Sequence, residues 1–174
     1  MNEAFVAIVV YTIKEKYTSE KAFYQSQLNI SPQSWDRWKK GEQGLRNENI
    51  EKIMTLFTDY EGMLVKKVAR NADIIPEVKM NPIEEFVNMK VHVAQKWIKN
   101  GIAHVEFIQE DEEESSSRRE SSQLLRIEVN YDFWSYKDRI EFRLANIERK
   151  PLEMKKKELL EWINENLFEL TIIK

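Results

Sequence analysis

Cysteine is absent from the 174 residues, glycine and proline number four each, and histidine two. Without cysteine there is no disulfide, no thiol nucleophile and no thiolate zinc site, a composition compatible with a reducing cytosol. No P-loop and no dinucleotide-binding glycine pattern occurs. His92 and His104 have no cysteine, aspartate or histidine nearby at ligand spacing, so each reads as a surface or half-buried residue. The acidic pairs Glu84/Glu85 and Glu112/Glu113 read as helix-start and solvated-loop residues. Neither an enzyme nor a cofactor is expected. Long apolar runs are missing too. The most apolar stretch, Phe5–Ile13, has nine residues, far short of the roughly twenty that span a bilayer. Asn2 and Glu3 precede it instead of lysine or arginine, so neither a membrane span nor a secretory leader is expected, and the expected location is cytoplasmic. Excess positive charge is lacking as well: the net charge is −3, unlike that of a protein that coats nucleic acid.

What is present is 42% apolar and 11% aromatic content, enough for cores, with 33% charged residues. This length fits one domain or two small ones. The most informative stretch is Ser19–Phe57, which reads as three short helices. The first spans about Ser19–Leu28, with Ser19 as N-cap. A tight connection, Asn29-Ile30-Ser31, follows. Ser31 is a good N-cap and Pro32 a good first helical residue, because the missing N–H of proline is no loss there. The second helix, Pro32–Lys40, ends at Gly41, where a left-handed cap favours a residue without a Cβ. Asn47 is expected to cap the third, in which Ile50, Ile53, Met54 and Phe57 recur at helical spacing. Two short helices joined by a three-to-four-residue turn, with a third behind, is the arrangement of a helix-turn-helix. Ile30, Trp35 and Trp38 should point inward, leaving Gln33, Ser34, Arg37 and Lys40 outward.

The pattern Ile30-Ser31-x-x-Ser34-Trp35-x-x-Trp38-Lys39-Lys40-Gly41 resembles the helix-turn-helix of the lambda-repressor-like family. That family usually shows valine or isoleucine, a serine, three variable residues before an apolar one, then Trp-Glu-x-Gly. The resemblance covers roughly residues 3–70. This chain departs from the pattern at three places: Gln25 replaces a small residue in the first motif helix, Asn29 the turn glycine, and Lys39 the acidic residue after the tryptophan. Gln25 would put a long polar side chain where the two helices approach. Asn29 suits its position, since asparagine visits the left-handed region more readily than most residues.

Around this stretch the chain reads as further elements. Phe5, Ile8, Val9, Thr12, Ile13 and Tyr17 fit one face of a first helix, although the β-branched content leaves a strand as the alternative. Asp59–Ala69 suggests another helix, and 71–81, with Pro76 and no clear period, a linker. Asn81-Pro82 opens a helix that Asn100-Gly101 stops. Ala103–Ile108 alternates as a strand. Gln109–Ser122, rich in acids and serines, reads as a mobile loop, because such residues bury too little apolar surface to offset ordering entropy. Leu125–Phe133 and Ile140–Leu144 alternate as a hairpin with one wet and one dry face. Tyr131, Phe133, Trp134 and Tyr136 cluster at its tip, as a corner of the core or as an exposed patch. Lys150-Pro151 opens a last helix, with a stripe from Leu152 to Leu170. The expected fold class is α+β: an all-α helix-turn-helix bundle over 1–70, the linker 71–81, then 82–174 as helix, three-stranded antiparallel meander and helix, its mobile loop at 109–123.

Two functions follow as expectations. In the first, the chain is a dimeric, sequence-specific DNA-binding transcriptional regulator of bacterial or phage type. Gln33, Ser34 and Arg37 would reach base edges, glutamine suiting adenine and arginine guanine. Lys39, Lys40, Arg46 and Asn47 would contact phosphate. Double-stranded DNA is then the partner, the resemblance implies a homodimer, and 82–174 would supply dimerisation, sensing or partner contact. In the second, the helix-turn-helix is a scaffold for a protein-interaction adaptor, a reading that draws on the modest local basicity of residues 31–46, where Arg37, Lys39, Lys40 and Arg46 stand against Asp36 and Glu42, and on Gln25, Lys39 and the acidic loop.

Overall fold

The computed structural model describes residues 2–109, 122–145 and 154–167. The fold is α+β. Its elements run α1 (Glu3–Lys16), α2 (Glu20–Phe23) continued by a wide turn (Tyr24–Leu28), α3 (Pro32–Lys39), α4 (Asn47–Met54), α5 (Asp59–Ala72), α6 (Pro76–Met80) and α7 (Pro82–Lys99). Three antiparallel strands follow, β1 (Ala103–Gln109), β2 (Ser122–Tyr131) and β3 (Tyr136–Ala145), and then α8 (Lys156–Trp162) with a further wide turn, Ile163–Leu167. The chain forms two compact units, one of Met1–Phe57 with Gly62–Phe86, the other of Thr58–Glu61 with Val87–Lys174.

In the first unit, α1 is a helix in spite of its β-branched residues. Asn2 caps it, its Oδ1 accepting from the Phe5 N–H at 3.0 Å. The Asn2 amide also donates to the Ala69 carbonyl at 2.7 Å and to Asp73 at 2.9 Å, tying α1 to α5. The buried face is Ala4, Val6, Ile8, Val9, Thr12 and Ile13; Phe5, expected inside, is only half-buried. Aromatic rings fill the centre. Phe23 meets Trp35 edge-on at 6.2 Å, Tyr24 stacks on Trp35 at 5.8 Å, and Trp35 lies 4.7 Å from Trp38. Residues 71–81, expected as a linker, instead hold α6. Pro76 sits at its start, where no N–H is needed, and Val78 is buried.

In the second unit the strands pair in the order β1-β2-β3. Val105, Ile127 and Ile140 lie in one cross-strand row, and Phe107, Leu125 and Phe142 in the next. α7 reaches this sheet through Lys90, whose Nζ lies 4.8 Å from the Phe142 ring centroid. On the wet face Glu128 accepts from Lys137 at 2.8 Å and from Arg139 at 2.8 Å. Those two cations hold its carboxyl down to about 2. The hairpin closes at the pair Tyr131↔Tyr136. Phe133 and Trp134 are 70% and 87% exposed there, so the aromatic cluster is a surface patch and not a corner of the core.

A polar knot at the start of α5 covers one edge of the sheet. Thr58 and Glu61 cap each other: the Thr58 N–H donates to Glu61 Oε2 at 3.1 Å, and the Glu61 N–H to Thr58 Oγ1 at 3.2 Å. Glu61 pairs with Lys90 at 2.9 Å and accepts the Glu141 N–H at 2.9 Å. Lys90 donates to the Glu141 carbonyl, and Thr58 Oγ1 to that of Arg139. Burial alone would raise the Glu61 carboxyl, but the charge and hydrogen bond of Lys90, with the two backbone N–H donors, hold it below the usual carboxylate range. Residues 110–121, within the expected mobile loop, and the Lys150-Pro151 start of the last helix lie outside the described residues. No helix among the described residues is long and apolar enough to cross a membrane.

Candidate nucleic-acid interface

The two helices of Glu20–Lys39 meet at Asn29, whose φ of 51° and ψ of 47° are left-handed. Before it the chain widens. The N–H groups of Asn29 and Ile30 both bond to the Tyr24 carbonyl, instead of continuing the four-residue ladder. That turn puts Tyr24 and Leu28 inside and leaves Gln25, Ser26 and Gln27 exposed. Gln25 therefore does not intrude between the helices.

α3 is closed at both ends. Ser31 accepts the Ser34 N–H at 3.2 Å, and the two hydroxyls lie 3.1 Å apart. At the other end Gly41 has φ of 74°, its N–H bonds to the Trp38 carbonyl at 3.0 Å, and the Glu42 N–H bonds to that of Arg37 at 2.9 Å. This double closure is the Schellman arrangement. A Cβ at Gly41 would meet nothing within 4 Å, so the backbone angle alone favours glycine. With α3 so fixed, Trp35 and Trp38 are fully buried, and Gln33, Arg37 and Lys40 stand on the exposed side. Ser34 is half-buried.

Lys39 is placed differently from its neighbours. Its ammonium lies 2.8 Å from Glu20 Oε2 and 3.6 Å from Asp36, and its side chain is 31% exposed. The same Glu20 oxygen accepts from Trp35 Nε1 at 2.8 Å. Burial alone would raise the Glu20 carboxyl; hydrogen bonds from Lys39 and Trp35 and the charges of Lys39 and Lys14 outweigh it and hold the group low. Lys39 thus serves as an internal counter-ion that sets α2 against α3. A lysine at a position that the family pattern makes acidic finds its carboxylate one helix earlier. Glu20 was not among the residues marked by the sequence, since the partners lie 15 and 19 positions away.

Arg46, expected at phosphate, is exposed and is the N-cap of α4; Asn47, expected as that cap, is the first helical residue. Arg46 is the last residue with an extended backbone, φ −63° and ψ 150°, and its side chain makes no capping bond. Between the α2–α3 turn and the start of α4 lies a cleft of about 560 Å³. Ser34 and Arg46 line it, with Gln43, Asn49 and Lys52, three polar residues the sequence did not single out. Gln33, Arg37 and Lys40 lie outside it. Among the described residues no group of three or more His, Asp or Glu could hold a metal ion. No family model, curated protein or solved structure matches this chain.

Proposed function

We propose that Glu20–Lys39 is a helix-turn-helix, that its second helix reads the major groove of double-stranded DNA, and that the chain is a dimeric transcriptional regulator similar to the lambda-repressor-like family. The observation that carries this reading is the division of α3 into a face anchored by two buried tryptophans and a face bearing Gln33, Arg37 and Lys40. A helix held from behind, with its amide and guanidinium side chains outward, suits base recognition. Arg37 and Gln33 read bases, with Ser34 at the mouth of the cleft. Lys40, Arg46 and Asn47 contact phosphate, and Lys39 acts by orienting α3. On this reading the protein binds and does not catalyse.

The test is selection of duplexes from a random pool by the full-length chain at two salt concentrations. A two-fold motif with half-sites about one helical turn apart supports the proposal. Weak, sequence-blind recovery that falls steeply with salt overturns it. The adaptor reading then leads. It is favoured by the exposed rings of Phe133 and Trp134, residues of the kind that anchor protein interfaces.

A further inference from the structure

The sheet has two edges, β1 and β3, and they are treated differently. On β3, the Arg139 carbonyl and both backbone groups of Glu141 are taken by Thr58, Glu61 and Lys90. The carboxylate accepts as a strand carbonyl would, and the ammonium donates as a strand N–H would. β1 has no such cover among the described residues, and its seven residues pair with β2 alone. Its apolar side chains are also less protected. Val105 and Phe107 are half-buried, while their partners Ile127 and Leu125 are fully buried. A bare edge of this kind is a template for another strand.

We propose that β1 pairs with β1 of a second copy of this chain, antiparallel, about a two-fold axis at Val105. This deepens the dimeric reading above, on which it rests for a second copy. The sequence of the strand selects the partner and the register. Centred on Val105, the pairing sets Val105 against itself, His104 against Glu106, Ala103 against Phe107, and Ile102 against Ile108. The imidazole thus meets a carboxylate twice, once on each side of the axis, and every apolar residue meets an apolar one. Centring on Glu106 places two carboxylates face to face; centring on His104 sets Glu106 against Ile102. Only the first register is complementary along its whole length. Ile102, 51% exposed at the mouth of the strand, is then covered by its counterpart's Ile108. The contact is isologous, and the two sheets join as one of six strands.

The absence of cysteine makes a direct test available. Val105→Cys, Ala103→Cys and Phe107→Cys are made separately in the full chain and exposed to a mild oxidant. Val105→Cys should form a disulfide-linked dimer by itself. Ala103→Cys and Phe107→Cys should each fail alone, because four residues of offset separate the thiols by roughly 14 Å, and should cross-link when mixed. Sedimentation of the unaltered chain at micromolar concentration should give the mass of two copies. His104→Glu should weaken the dimer about tenfold, and His104→Glu with Glu106→Lys should restore it; both positions are exposed, so this pair tests the register even where a cysteine disturbs folding. A monomer in sedimentation, equal cross-linking at all three positions, or a dimer that Val105→Cys does not trap would each overturn the proposal. Failure of the duplex selection with Val105→Cys trapped removes the DNA reading alone. A two-fold DNA motif without that disulfide moves the dimer contact elsewhere and removes this one.

Discussion

Each of the two units is tied together by a lysine–glutamate pair, and the pairs differ in how far water reaches them. Glu20 and Lys39 are 23% and 31% exposed; Glu61 and Lys90 are 4% and 10% exposed. Both carboxylates take further donors, Trp35 Nε1 in one case and two backbone N–H groups in the other. In the first unit, water can replace a lost partner. In the second it cannot, so removing one member leaves an unpaired charge in a medium that solvates it poorly. The same chemistry serves as an adjustable orienting contact in one place and as a structural keystone in the other.

The largest effect that would break this contrast is Lys90→Ala. It should cost about 3–5 kcal/mol, read as a fall in denaturant midpoint; a loss no larger than that of Lys39→Ala would abolish the distinction. Next is Arg37→Ala, expected to leave stability unchanged and to weaken binding to a selected duplex by about 1–3 kcal/mol, with relaxed preference at one base pair. Lys40→Ala should lower the salt slope by about 1, and Lys39→Ala by distinctly less, because its ammonium already has a partner. Asn29→Ala should cost about 1 kcal/mol, because alanine lacks the short polar side chain that lets asparagine hold the left-handed backbone found there, seen in thermal unfolding. The smallest effect is Lys39→Ala on stability, below about 1 kcal/mol.

Acid sharpens the comparison. Both Glu20 and Glu61 are held below the ordinary glutamate value of 4.5. On acidification the unfolded chain therefore takes up these protons first. The stabilisation is complete above that value and drains away as pH falls through the folded ones. Denaturation at about pH 7 and about pH 3 should show this loss. It should shrink in Lys90→Ala, where burial without its counter-ion no longer holds Glu61 low.

Much of this was legible from local chemistry. Ser19, Ser31-Pro32, Gly41 and Gly101 mark helix ends by what their own backbones can adopt, and the alternation from Leu125 to Leu144 gives the hairpin its two faces. What escaped depends on partners far along the chain. Glu61 and Lys90 are 29 positions apart, and neither advertises the other; Glu20 meets Trp35 and Lys39 only once the chain has reversed at Asn29. The wide turn at Tyr24–Leu28 leaves no mark in composition, yet it decides that Gln25 faces water. Arg46 displaced Asn47 as the α4 cap by backbone angle alone, without a side-chain bond to announce it.

The knot of Thr58, Glu61 and Lys90 has one more consequence. A sheet with two bare edges is a bifunctional unit and adds to itself without limit, as a growing fibril does. Closing β3 reduces that functionality to one. Growth then stops after a single step, and a strand rich in valine, isoleucine and phenylalanine is kept at the surface without giving a polymer.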